Sequence, residues 1–175
     1  GYYPKGGAYV LALINPAKLS PINLTERGEI KEIYGISHAS KSLERPKVAE
    51  RQMKAAEDLL KKEYKFSPNI SVKYFDTQNP GSAIELFAIT ENSVLGSDGL
   101  GEVNKRSEAV GRDAAHRMIE EINSGACVDQ YTEDQLLPYM ALAAEHGESK
   151  LRVPKITNHT KTNIWVIEKF LPVKF

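Results

Sequence analysis

Pro46-Lys47-Val48-Ala49-Glu50-Arg51-Gln52 opens a stretch running to Tyr64 in which Val48, Gln52, Ala56, Leu59 and Leu60 share one helical face. A proline is tolerated in a first helical turn. Glu50 with Lys54, Glu57 with Lys61 and Asp58 with Lys62 stand four apart, on the solvent side, in the favourable order. Past Ser67-Pro68-Asn69 the apolar period drops from about 3.6 residues to about 2. Ile70-Ser71-Val72-Lys73-Tyr74 alternates, Asn79-Pro80-Gly81 carries turn chemistry, and Ala83 to Thr90 reads as a second strand paired with the first. The switch of period places helix and strand in one unit, and so sets the fold class.

Reading outward, Ala8 to Ile14 predicts a mostly buried strand, stopped by Asn15-Pro16. Gly28 to Ser37 predicts another, and Ser93 to Gly96 a short one before the loop Ser97-Asp98-Gly99-Leu100-Gly101. Val110, Ala114, Met118 and Ile122 trace a helix from about Lys105 to Asn123, ended by Ser124-Gly125. Thr132-Glu133-Asp134-Gln135 has capping-box spacing and starts a helix near Tyr131. Pro138 within it cannot bond to the carbonyl of Asp134, so a bend is expected there. Lys150 to Pro154 and Thr162 to Phe170 predict strands, the latter because Asn163 to Glu168 is rich in β-formers. The fold class is α/β with mixed, α+β-like sheets. Residues 26–123 form a unit able to close its own core, and residues 1–25 and 124–175 together form one interrupted unit.

The chain has 175 residues, with 23 Lys+Arg against 23 Asp+Glu, 41% hydrophobic residues and one cysteine, Cys127. A chain of this size and composition supports a folded core. The apolar run at Ala8 to Ile14 falls far short of the ~20 residues of a membrane span, so no membrane association is expected. A lone cysteine allows no internal disulfide, and no Cys/His spacing fits a structural zinc site; a reducing cytoplasm is the expected compartment. The zero net charge hides an asymmetry. Residues 118–149 hold seven acidic side chains and no Lys or Arg, whereas residues 150–175 hold six basic ones against Glu168 alone. Gly1-Tyr2-Tyr3-Pro4-Lys5-Gly6-Gly7 shows neither an initiating methionine nor a signal-peptide pattern and reads as the middle of a domain.

Four histidines are candidates for chemistry. His38, His116 and His146 have no compelling partner in sequence and default to structural roles. His159 differs, lying in the polar run Asn158-His159-Thr160-Lys161-Thr162-Asn163 of the basic segment, read as a loop between strands. An imidazole with its ordinary pKa of ~6.5 is a competent nucleophile at neutral pH and can take up an activated phosphoryl or nucleotidyl group. Nearby cations would favour the phosphates it attacks, and Thr160, Thr162 and Asn163 could orient it. Tyr131 and Asp134 would share one side of a helical turn, offering an aromatic face for a base and a carboxylate for a hydroxyl, amine or cation. The plainer alternative is that Tyr131 packs and Asp134 caps the helix. Gly6-Gly7 belongs to no Walker or dinucleotide spacing and reads as a turn.

Taken together, Gly1 to Ala8, Val48-Ala49-Glu50-Arg51-Gln52, Gly111-Arg112, Tyr131 to Leu136, and His159 to Ile164 leading to Phe170-Leu171-Pro172-Val173-Lys174-Phe175 resemble RNA 3′-terminal phosphate cyclase. Ala8 stands where that family usually has a third glycine. The resemblance implies ATP-dependent adenylylation of a histidine, transfer of AMP to an RNA 3′-terminal phosphate, and closure to a 2′,3′-cyclic phosphate with Mg²⁺ or Mn²⁺ assisting. It assigns His159 as the residue bearing AMP, and Tyr131, Thr132, Glu133, Asp134 and Gln135 as bordering ATP; no metal ligand is assigned. It also implies repeated α/β units, with residues 26–123 inserted into a last repeat split between 1–25 and 124–175. Family members are about twice this length, so an N-terminal half, in cis or as a companion chain, is an expected partner beside the RNA. Two rival readings are a non-catalytic cyclase-like ribosome-assembly factor, which would lack the histidine present here, and an RNA-binding scaffold, for which interleaved aromatics are lacking.

Overall fold

The computed structural model describes residues 1–64 and 67–175. Its elements in order are β1 (Asn23–Leu24), β2 (Ile30–Ser40), α1 (Val48–Glu63), β3 (Asn69–Phe75), β4 (Ser82–Thr90), β5 (Val94–Leu100), α2 (Ser107–Asn123), α3 (Thr132–Ala143), β6 (Lys150–Leu151) and α4 (Asn158–Phe170). The sheets are mixed, as the sequence predicts: β3 and β2 run parallel, while β4 is antiparallel to both β2 and β5.

The four-stranded sheet has the order β3-β2-β4-β5. The predicted pairing of β3 with β4 is therefore wrong, because β2 lies between them. The connecting loop crosses the end of β2 and is fastened to Ser40. The Ser40 hydroxyl donates to the Asn79 carbonyl at 3.0 Å and accepts from Gly81 N–H at 2.9 Å and from Thr77 Oγ1 at 2.7 Å. The turn residues Asn79-Pro80-Gly81 thus make a crossover instead of a hairpin. The predicted loop over residues 97–100 belongs to β5, whose register carries Ser97 opposite Leu86 and Leu100 opposite Ala83.

Both long helices cover one face of this sheet. Ile33 from β2, Ile84, Leu86 and Ala88 from β4, and Leu95 from β5 meet Ala56 and Leu60 of α1 and Val110, Ala114 and Met118 of α2. Each fully buried Leu or Ile contributes about 1.5–3 kcal/mol. The two helices approach closely at Gly111, where a Cβ would lie 2.0 Å from the Gln52 carbonyl oxygen. Gln52, the one polar member of the predicted apolar face, is buried and satisfied: it donates to Ser82 Oγ at 2.9 Å and accepts from Ser37 Oγ at 3.1 Å. Of the predicted ion pairs on α1, Glu57–Lys61 is present at 2.6 Å; Lys54 turns to Asp58 at 2.7 Å, and Glu50 instead accepts from Tyr74 Oη at 2.5 Å.

The flanking segments meet across this unit. β1 pairs parallel with β6, Asn23 opposite Lys150 and Leu24 opposite Leu151. α3 packs on α4 through Leu137, Ala141 and Ile167, with Ile164, Leu171 and Val173 at the margin. The predicted strand over Thr162–Phe170 is thus a helix. Ile164, Ile167 and Leu171 recur at helical spacing, and a capping box between Thr157 and Thr160 closes its first turn. The neighbouring prediction shrinks to the two residues of β6. Ala8 to Ile14 forms no strand; Tyr9, Val10, Leu11, Leu13 and Ile14 are 84–94% exposed. A strand exists only through ladder partners, and none among the described residues pairs with this run. No described helix is long and apolar enough to cross a membrane.

Candidate active site

The site is assembled where the starts of α3 and α4 meet. Asp129 builds the first of these. Its Oδ1 accepts Tyr131 N–H at 3.0 Å and Thr132 N–H at 2.9 Å, and its Oδ2 accepts Thr132 Oγ1 at 2.9 Å and Gly96 N–H of β5 at 3.1 Å. Those bonds satisfy the orphan donors of the helix start and tie the turn to the edge of the four-stranded sheet. The predicted capping box at Thr132–Gln135 is therefore replaced by an upstream carboxylate. Asp134 is released from any capping role, and Tyr131 does not pack, being 62% exposed.

With Asp129 at the helix start, adjacent residues of α3 reach adjacent residues of α4. Glu133, 1% exposed, accepts a hydrogen bond from the buried Thr160 hydroxyl. Asp134, 7% exposed, holds His159 Nδ1 through Oδ2, while Oδ1 accepts from Gln135 Nε2 at 3.3 Å. The His159 side chain is 81% exposed, so Nδ1 is anchored and the rest of the ring is open. A carboxylate on Nδ1 fixes the tautomer with the proton there and the lone pair on Nε2. This geometry leaves an imidazole lone pair open beside a carboxylate able to balance positive charge on the ring.

His159 is the second residue of α4, not part of an inter-strand loop. The positive end of the α4 dipole therefore lies beside the imidazole, a field that favours a phosphate there. Of the six basic residues of the segment, three are engaged elsewhere: Lys150 pairs with Glu148, Lys174 with Glu168, and Lys169 stands 5.6 Å from the Trp165 ring centre. Beside the imidazole a cleft of about 400 Å³ is lined by Gln130, Tyr131, Asp134, Gln135, Thr157 and His159. Of the five consecutive candidates Tyr131 to Gln135, three line this cleft; Thr132 and Glu133 face inward to hold the turn and α4. Gln130 and Thr157 lie outside the predicted set, and no motif marked them. Asp129 does carry a local signal, a carboxylate three residues before Thr132. Thr162 bonds only to the Asn158 carbonyl, at 2.9 Å, whereas Asn163 Nδ2 donates to the Asp134 carbonyl at 2.9 Å.

Two of the other histidines have side-chain partners, and His116 lies exposed on α2. His38 accepts from or donates to Tyr2 Oη at 2.6 Å and meets Glu85 Oε1 at 3.1 Å, which fastens the Gly1–Gly7 turn to the outer face of the sheet. Burial there, with Glu85 nearby, pushes the Tyr2 hydroxyl up to about 12. His146 pairs with its neighbour Glu145. Among the described residues, no three His, Cys, Asp or Glu side chains converge as a metal cage.

Comparison with known proteins converges on one family. A model of the insert domain of RNA 3′-terminal phosphate cyclase matches residues 25–123. The chain is similar to the RNA 3′-terminal phosphate cyclases of Staphylothermus marinus (44% identity over 98% of this chain and 49% of the relative), Caldivirga maquilingensis (43%, 98% and 49%) and Methanopyrus kandleri (39%, 99% and 50%). The chain spans about half the length of the curated relatives it matches. The matched model covers more than half of the residues, and the relatives align along nearly all of them: the chain belongs to the RNA 3′-terminal phosphate cyclase family.

Proposed function

We propose that this chain carries the nucleotidyl-accepting histidine of an ATP-dependent RNA 3′-terminal phosphate cyclase, acting with the remainder of a polypeptide about twice as long. The observation that carries the reading is the Asp134 carboxylate on His159 Nδ1 with the opposite edge of the ring open. Nε2 attacks the α-phosphorus of ATP, the bond to the bridging oxygen breaks, and diphosphate leaves. Asp134 stabilises the positive charge on the ring. An oxygen of the RNA 3′-phosphate then displaces the imidazole and takes AMP. The adjacent 2′-hydroxyl attacks the terminal phosphorus, loses its proton and expels AMP, leaving the 2′,3′-cyclic phosphate. Tyr131 offers its exposed ring to the adenine, and Gln130, Gln135 and Thr157 offer polar groups along the cleft. Mg²⁺ or Mn²⁺ would neutralise the polyphosphate; among the described residues no three His, Cys, Asp or Glu side chains form a cage for it.

Residues 26–123 are read as the inserted small domain, and residues 1–25 with 124–175 as the split last repeat. That division is supported by the residues the insert-domain model matches and by the pairing of β1 with β6. The test is incubation of the complete polypeptide with α-labelled ATP and Mg²⁺. Acid-labile label should reside on His159 and vanish in His159→Ala; equal labelling of that variant overturns the assignment. Asp134→Asn, which keeps the shape but loses the charge, should slow labelling roughly 10²–10⁴-fold with little change in melting temperature.

A further inference from the structure

Pro138 lies inside α3 and has no N–H, so the carbonyl of Asp134, four residues earlier, lacks its helical donor. That carbonyl is not left bare. Asn163, one turn after His159 on α4, donates its side-chain amide to it at 2.9 Å. The donor assignment of the amide is forced, since a carbonyl oxygen only accepts. The same residue whose carboxylate anchors the imidazole therefore has its backbone held by the helix that carries the imidazole.

We propose that Asn163 is a positioning residue for His159, made possible by Pro138, which frees the Asp134 carbonyl to act as the docking point that fixes α4 against α3. Rotation of α4 about its axis, or a slide along α3, would break the Asn163 bond and draw His159 Nδ1 away from the Asp134 carboxylate together. Thr160 on Glu133 fixes depth but sits on the buried side of the contact. Asn163 is the second point needed to fix orientation. An alanine at this position would close the helical bond and draw the carbonyl toward the helix axis, weakening its bond to Asn163.

The inference rests on His159 being the acceptor, and the experiment separates the two claims. In the complete polypeptide, Asn163→Ala should lower both melting temperature and the rate of His159 labelling, the rate by roughly tenfold. Pro138→Ala should leave the melting temperature equal or higher yet slow labelling several-fold. The double variant is decisive. Pro138→Ala in the Asn163→Ala background restores the lost donor, so stability should return while labelling stays roughly tenfold low. Full recovery of labelling in the double variant, or wild-type labelling by folded Asn163→Ala, overturns the proposal and leaves Asn163 merely satisfying a carbonyl. ¹⁵N shifts of the His159 ring give a readout free of activity. Asn163→Ala should move the ring from the Nδ1–H form toward the ordinary tautomer mixture, and an unchanged ring overturns the proposal. If the unsubstituted protein never labels on His159, the functional reading falls and the ring shifts alone decide the positioning claim.

Discussion

Glu121 near the end of α2 and Asp129 before α3 show how much one buried carboxylate can differ from another. Asp129 collects four donors, two on each oxygen. Glu121, 7% exposed, receives only Gln130 N–H at 3.2 Å, and its other oxygen is buried without a hydrogen-bond donor. Burial holds the Glu121 carboxyl above its usual range, with the Asp129 charge adding to the effect. A raised carboxyl value in the fold stabilises the protein fully below the unfolded value of ~4.3, and that contribution fades as pH rises through the folded value. Glu121→Gln keeps the acceptor for Gln130 and removes the titration. Its melting temperature relative to wild type should therefore rise between pH 4 and pH 7; a difference that stays constant with pH would show that Glu121 does not titrate differently in the fold. At the same scale, His159 could be singled out from its polar surroundings, but its partner could not. Asp134 lies 25 positions away, and local spacing suggested for it only a capping role or an open carboxylate.

Among the elements, α1 and α2 were legible in full because their apolar residues repeat at helical spacing and both faces are long. α4 was misread. Asn163 to Glu168 is β-rich, but Ile164, Ile167 and Leu171 meet Leu137 and Ala141 of α3, and Thr157 with Thr160 caps the turn. Packing and capping outweigh propensities that amount to a few tenths of a kcal/mol per residue. Both halves of the bond between Asn163 and the Asp134 carbonyl could be named from the chain, a carbonyl freed by Pro138 and a possible orienting amide. Their meeting needed α4 to be a helix. The contact between α1 and α2 yields a prediction of its own. Alanine ordinarily favours a helix over glycine, but at Gly111 its Cβ would strike the Gln52 carbonyl oxygen at 2.0 Å. Gly111→Ala should cost about 1–3 kcal/mol in denaturant unfolding; a stabilised variant would show that the helices separate freely.

For the molecule as a whole, the question is how the four-stranded unit is joined to the site. Asp129 makes that link, since one carboxylate oxygen serves both Gly96 on β5 and Thr132 on α3. Asp129→Asn can still accept from the α3 amides through its remaining oxygen, but it turns an N–H toward Gly96. Amide hydrogen exchange should show Gly96 losing protection roughly tenfold or more, while the amides of the β2–β4 ladder keep theirs. Unchanged protection at Gly96 would mean the link carries no energy. The exposed run Ala8 to Ile14 is the opposite case, an apolar stretch with no cover among the described residues. Leu11→Lys should leave the unfolding free energy of this chain within about 0.5 kcal/mol of wild type in denaturant titration, as befits a side chain 89% exposed. A large loss would show that the run packs.

The sequence by itself determined which stretches are helical with a long apolar face and that the sheets are mixed, and it singled out His159 by its polar surroundings. Only the tertiary structure decided the order β3-β2-β4-β5, the helical state of α4, the exposure of Ala8 to Ile14 and the pairing of Asp134 with His159. The reason is the same in each case. Periodicity along a chain records which face of an element is apolar, whereas the partner of that face, or of a single carboxylate, depends on which distant segments the fold brings alongside.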